Sequence, residues 1–173
     1  MPVKHDFSIS TGYIGGEDTS GDTKEKLKGF FVRGIFGVTP SINFYAEYNK
    51  QKISILKFDE VSTGFLYKFY RGKKINGSIG SGIGYVWLNQ QLKDPNLPLT
   101  ADLKLKYISI PLFIEGEIKL SEHFSYFGNL SYQWLFNYDS KVCLTVISRQ
   151  TICNLIHENS DSLVYKLGIR YSF

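Results

Sequence analysis

Two cysteines, Cys143 and Cys153, stand ten positions apart with polar and β-branched residues between them. No second Cys or His pair completes a tetrahedral metal set, so neither a metal nor any other cofactor is expected. The chemistry left to them is a disulfide, formed in an oxidising compartment. Val142-Cys143-Leu144-Thr145-Val146 and Thr151-Ile152-Cys153-Asn154-Leu155 both read as strands. Joining the cysteines centres a hairpin on Ser148, with Thr145 opposite Thr151 and Leu144 opposite Ile152. Its free edge would be able to recruit a partner strand. The histidines promise less. His5 sits beside Asp6 and His157 beside Glu158, neither with a nucleophile nearby, and both read as solvent-exposed. A third group of reactive types is a set of charges that recur in phase: Arg33, Lys68, Lys166 and Arg170 against Glu47, Glu60, Glu115 and Glu117.

The elements that hold these residues have a period of two, the signature of strands. With 43% hydrophobic and 16% aromatic residues, 13 Phe, 12 Tyr and 16 Gly, the chain favours sheet over helix and is no disordered polymer. Its length suggests one domain, residues 1–173. A net charge of +4 without a basic run argues against nucleic acid. There is no apolar run of 18 residues, so no transmembrane helix is expected. Met1-Pro2-Val3-Lys4 leads straight into a strand-like segment and reads as a start that replaces a removed export signal.

Eight segments alternate, at about 5–15, 27–38, 41–54, 59–70, 75–90, 103–119, 124–137 and 162–173. One face carries large apolar groups, as in Ile42, Phe44, Ala46 and Tyr48, or Leu163, Tyr165, Leu167, Ile169, Tyr171 and Phe173. The other carries small residues and the in-phase charges. Such segments are longer than the roughly 5–6 residues of soluble strands and reach the roughly 9–11 needed to cross a bilayer. An eight-stranded barrel has a narrow lumen. The bulky set does not fit inside it, while the small and charged set does, so the apolar face must meet hydrocarbon. Tyr45 and Tyr107 would help fill the lumen, with the charges paired as a plug. Short turns near 39–41, 71–74 and 120–123 alternate with longer links near 16–26, 53–58, 91–102 and 138–160, the pattern of short periplasmic turns and long extracellular loops. These observations predict an all-β fold: an eight-stranded antiparallel up-and-down transmembrane β-barrel with both termini periplasmic.

The end Tyr165-x-Leu167-x-Ile169-x-Tyr171-x-Phe173 resembles the C-terminal signal of bacterial outer-membrane barrels, which ends in Phe and is read by the barrel assembly machinery. The chain as a whole resembles the small eight-stranded outer-membrane group that includes OmpA-type, OmpX-type and opacity-type surface proteins, and Tyr107-Ile-Ser-Ile-Pro111-Leu-Phe looks like a strand motif common in them. It departs from full-length OmpA-type proteins in showing no soluble domain after Phe173. Some lipid A deacylases of this barrel class use a His-x-Ser pair, and His123-Phe124-Ser125 has that form. Their motif continues with Asn and a small residue, where this chain has Tyr126-Phe127. The pair also falls at a short turn, far from outer-leaflet lipid. No amphipathic N-terminal helix of a barrel palmitoyltransferase precedes the first strand. An enzyme is therefore not expected.

Lys28, Lys50, Lys52, Lys104 and Lys106 fall at the extracellular strand ends, in phase with the lipid face, at the height of lipopolysaccharide phosphates. Ordinary snorkelling is the competing reading. The sequence thus points to a non-enzymatic, monomeric outer-membrane surface protein whose loops serve adhesion, host-protein binding or envelope integrity. The alternative is a narrow channel for ions or small solutes, and a lipid-modifying enzyme ranks last.

Overall fold

Hydrocarbon offers no partner to a backbone amide, so a chain that crosses it as strands must close its sheet. The structure, a computed structural model, describes residues 7–20, 23–93, 99–146, 151–156 and 159–173. His5, Asp6, Ser148, His157 and Glu158 lie outside the described residues. Among the described residues ten strands follow in order: β1 (Phe7–Ser20), β2 (Thr23–Gly37), β3 (Ile42–Ile53), β4 (Leu56–Arg71), β5 (Ile75–Lys93), β6 (Leu99–Lys119), β7 (Phe124–Asn137), β8 (Ser140–Val146), β9 (Thr151–Ile156) and β10 (Ser160–Ser172). Strands β1 to β7 and β10 form a closed antiparallel barrel, sealed where β10 returns to β1 from Ser8↔Ser172 to Thr19↔Asp161. The fold is the eight-stranded transmembrane barrel that the alternation predicts.

The outer wall follows the sequence pattern residue by residue. Phe30, Val32 and Phe36 of β2, Phe65, Tyr67 and Phe69 of β4, and Leu163, Leu167 and Ile169 of β10 all face outward, away from the lumen. In water such a surface would be an aggregation hazard, whereas in a bilayer it is the solvated face. Aromatic residues gather toward both rims. Phe7 stacks on Phe173 and Phe124 meets Tyr171 at the termini end, while Tyr85 lies against Trp87 and Tyr132 against Trp134 at the other. Two such girdles bracket the apolar band of a membrane barrel.

The inner face holds more than the expected small residues, charges and two tyrosines. Ile14, Leu27, Phe31, Phe127 and Val164 form one buried apolar cluster in the lumen, and Ile35, Tyr45, Leu66 and Phe113 form another. Glycines of β5 make room for the second cluster. A Cβ on Gly80 would stand 2.4 Å from the Phe113 ring, and one on Gly82 would stand 2.5 Å from the Tyr45 hydroxyl. Tyr45 is buried as expected, but Tyr107 lines a cavity instead of filling it.

Three tight turns close the termini end. Thr39 Oγ1 accepts from the Ile42 amide at 3.0 Å, Gly72 N–H donates to the Ile75 carbonyl at 2.8 Å, and Ser121 Oγ accepts from the Phe124 amide at 3.1 Å. At the other end the expected long links are largely strand. β1 and β2 stay paired out to Ser20↔Thr23, and β5 and β6 out to Lys93↔Thr100. The link expected at 53–58 is a two-residue turn, Ser54-Ile55, with Ser54 at φ 53°. Polarity marks where the hydrocarbon ends, but above it polar residues extend a ladder freely, because the neighbouring strand satisfies their amides.

Candidate functional site

Cross-strand register places the inward charges. Arg33 and Glu47 are direct partners on β2 and β3, and Arg33 Nε donates to Glu47 at 2.6 Å. The same guanidinium crosses the lumen to Glu115 on β6 at 2.7 Å. Lys166 on β10 also pairs with Glu47. Arg170 holds Glu115 at 2.6 Å and Glu117 at 3.2 Å. Three cations and three carboxylates thus form one neutral chain of pairs through the middle of the barrel. Arg33 is 1% exposed, and its guanidinium lies 5.2–5.8 Å from the rings of Phe31, Tyr45 and Phe113. Aromatic faces at that distance attract the cation and keep water from it. The space left beside Arg33, Glu47 and Lys166 is about 10 Å³, room for about one water.

The other two members of the set are placed differently. Glu60 carries no ion pair among the described residues. Its oxygens accept instead from Asn49 Nδ2, Gln51 Nε2, Ser109 Oγ and Gln133 Nε2 at 2.6–3.1 Å. It lies at the base of a cavity of about 540 Å³ that faces the loop end. Lys68 lines a second cavity, about 330 Å³, at the termini end, with Glu117, Lys119 and Arg170. The lumen is two vestibules separated by a charged and aromatic plug.

At the loop end the cysteines are joined, with Cα atoms 4.1 Å apart. Cys143↔Cys153, Leu144↔Ile152 and Thr145↔Thr151 are cross-strand partners, in the register expected. β8 continues the line of β7 along β6. Tyr107↔Asn137 is followed by Lys104↔Lys141, three residues on β6 against four, so one extra residue bulges at Tyr138-Asp139. Asp139 bridges Lys106 at 3.4 Å and Lys141 at 3.5 Å, and the hydrogen bond from Lys106, with the Lys141 charge, lowers its pKa. β9 is the outer edge of the sheet among the described residues, with Ile152 and Leu155 exposed.

His123 and Ser125 do not meet. The His123 ring stacks on Tyr171 and its Nδ1 donates to the Ser172 carbonyl at 2.8 Å, on the exposed turn. Ser125 points into the lumen and donates to Glu117 at 2.6 Å. The five lysines separate into two groups. Lys28↔Lys52 are cross-strand partners, and Lys50 lies two pairs below, opposite Phe30 and 4.0 Å from Asp59. Lys57, opposite Lys52, extends the row and was not singled out from the sequence. Lys104 and Lys106 lie on β6, where Asp139 already holds Lys106.

No protein-family model matches the chain, and no curated protein is significantly similar to it. Solved structures share its shape. A major outer membrane protein of Thermus thermophilus matches with a TM-score of 0.73 at 14% identity, over 98% of this chain and 99% of that one. Neisserial surface protein A matches at 0.71 and 11% identity, over 96% and 97%. Ail, the attachment invasion locus protein of Yersinia pestis, matches at 0.59 and 13% identity, over 99% and 100%. With its closed eight-strand sheet, outward apolar belt and plugged lumen, the chain has the fold of the small eight-stranded outer-membrane β-barrels.

Proposed function

We propose that the chain is a non-enzymatic surface protein of a bacterial outer membrane, with its termini toward the periplasm and its strand extensions outside. The observation that carries this reading is the pairing of a sealed lumen with a rigid platform. Buried ion pairs from Arg33, Lys166 and Arg170 cross the lumen, while β5, β6, β8 and β9 rise beyond the belt as one hydrogen-bonded sheet stapled by Cys143–Cys153. Such a platform presents preformed surface at little entropic cost. Lys50 lies level with Phe30 and above Tyr48, with Lys28 and Lys52 farther out, a row suited to lipopolysaccharide phosphates at the edge of the belt, and Lys104 adds a cation on β6. Like charges directly opposite one another destabilise a sheet unless an anion lies between them. One solved structure of Ail contains the heparin analogue sucrose octasulfate, a polyanion bound to a barrel of this shape. The Tyr165, Leu167, Ile169, Tyr171 and Phe173 series serves as the signal to the assembly machinery.

The test is binding of the refolded protein and of a variant lacking residues 140–156 to host matrix and serum proteins, with single-channel recording in planar bilayers alongside. The reading expects binding that falls with the deletion and no steady conductance. A stable, large conductance favours a second reading, a narrow channel, to which the two vestibules on either side of the plug lend support.

A further inference from the structure

The loop-end vestibule has a chemistry of its own. Its volume, about 540 Å³, lies within the range of small-molecule sites, roughly 300–1,000 Å³. Leu27, Ile53, Phe58, Val86, Leu105 and Leu135 give it apolar walls. Among the described residues, every charged one that lines it is acidic: Asp18 and Glu25 near the rim and Glu60 at the base. Asp18 and Glu25 are direct cross-strand partners that both line the cavity, a like-charge juxtaposition that costs stability when nothing lies between. The hydroxyls of Ser160 and Ser162 donate to Asp18 but bring no charge.

Glu60 is the stronger clue. It is 2% exposed, and Gly84 clears its place, since a Cβ there would stand 2.8 Å from Oε1. Glu47, Glu115 and Glu117 each touch at least one Arg or Lys, while the four donors to Glu60 are all neutral. Burying a carboxylate with hydrogen bonds but without a counter-charge is unfavourable. The missing charge is one that a ligand can bring. Gln51, whose 3.1 Å contact is the longest of the four and which itself lines the cavity, is the donor an incoming ammonium would replace. Among the described residues no three carboxylates, histidines or cysteines come close enough to hold a metal ion, and the walls are greasy.

We propose that this vestibule binds a small organic cation with an apolar body, an alkyl- or arylalkylammonium, with its charged end toward Glu60 and its body against the Leu and Phe walls. The binding requires neither a protein partner for the platform nor an open plug, so it stands or falls apart from the surface-protein reading.

The full chain, refolded into lipid nanodiscs, is titrated calorimetrically with 2-phenylethylammonium, with 2-phenylethanol and with phenylacetate, using empty nanodiscs as the blank. The wild type should bind the amine saturably and about tenfold or more tightly than the alcohol, and should not bind the acid. A tenfold ratio corresponds to about 1.4 kcal/mol. Glu60→Gln should erase that preference while leaving the weak alcohol binding unchanged. A second variant, Leu105→Trp, fills the wall without touching the charge and should abolish saturable amine binding, which keeps the test decisive if Glu60→Gln does not refold. No saturable binding of the amine, equal affinity for amine and alcohol, an unchanged Glu60→Gln protein, or full binding by Leu105→Trp would each overturn the proposal.

Discussion

Arg33→Ala should be among the most damaging single changes in the barrel. The side chain donates two charge-assisted hydrogen bonds, to Glu47 at 2.6 Å and Glu115 at 2.7 Å, from a position 1% exposed. Bonds of that kind contribute about 1.5–3 kcal/mol each. Breaking a buried pair by removing one partner costs about 3–5 kcal/mol in general. Here Glu47 keeps Lys166 and Glu115 keeps Arg170, so neither carboxylate is abandoned. The chain of pairs nevertheless changes from neutral to one excess negative charge, enclosed by aromatic rings. We therefore expect a loss near the lower end, about 3 kcal/mol. Urea unfolding in lipid vesicles reads it, followed by the fluorescence of Trp87 and Trp134 and extrapolated to zero denaturant. Arg33→Lys keeps the charge but not both contacts and should lose roughly half as much. In a Glu115→Gln background Arg33→Ala should cost less than in the wild type, because the two residues share one interaction. A wild-type-like Arg33→Ala, within about 0.5 kcal/mol, would refute the idea that these pairs brace the lumen.

Gly80→Val places a side chain where the Phe113 ring lies, 2.4 Å from the new Cβ, and should cost about 1–3 kcal/mol as overpacking, visible as a lower urea midpoint. An unchanged midpoint would mean that the wedge has slack. Replacing both Cys143 and Cys153 by Ser opens a closed loop of ten residues and should loosen the hairpin by about 2–3 kcal/mol. Limited proteolysis should then cut within 140–156 faster while the barrel core stays resistant, and equal cutting rates would count against the staple. The lowered pKa of Asp139 fixes the sign of a pH effect. Its clasp on Lys106 and Lys141 is present above the ordinary Asp value of 3.8 and is lost as pH falls through the depressed one. Amide protection in β8, corrected for intrinsic exchange, should fall on acidification in the wild type, whereas in Asp139→Asn it should be low throughout. A pH-independent wild type would remove the clasp from the account.

The outer wall was legible because lipid imposes a single rule on every second residue. Ile42, Phe44 and Tyr48, or Leu163, Tyr165 and Leu167, leave no choice of face. The inner face was harder, because the lumen is filled by volume as well as by polarity. Alternation puts Phe30 and Val32 outward with Phe36 and leaves Phe31 on the face of Arg33, but it does not tell that an apolar ring of that size packs in the lumen. The signal existed in the glycines of β5. Gly80, Gly82 and Gly84 mark the hollow side of the barrel, but what fills the hollow depends on the register between strands. The Arg33 to Glu47 contact follows from adjacent strands, whereas Arg33 to Glu115 joins residues 82 positions apart on strands that never pair. Closure of the barrel alone brings them together. The strand extensions were misjudged as loops for the opposite reason. Glu17, Asp18, Glu25 and Lys26 are too polar for hydrocarbon, yet nothing prevents their backbones from continuing the ladder in water.

The plug and the platform are connected mechanically. Arg33 ties β2 to β3 and, across the lumen, to β6, Lys166 ties β10 to β3, and Arg170 ties β10 to β6. β6 is also the strand that carries β8 above the belt, and β10 receives the chain as it returns from β9. The two strands that bear the stapled hairpin are therefore the two that the buried charges fix against the opposite wall. A lumen filled only with small residues would leave β6 and β10 held by their lateral ladders. Cross-lumen ion pairs clamped between aromatic rings add a transverse restraint at the base of the extension. A weakened plug should consequently be felt at the hairpin, and Arg33→Ala should raise amide exchange in β8 as well as lower global stability. If exchange in β8 were untouched while the barrel lost its 3 kcal/mol or so, plug and platform would be independent devices.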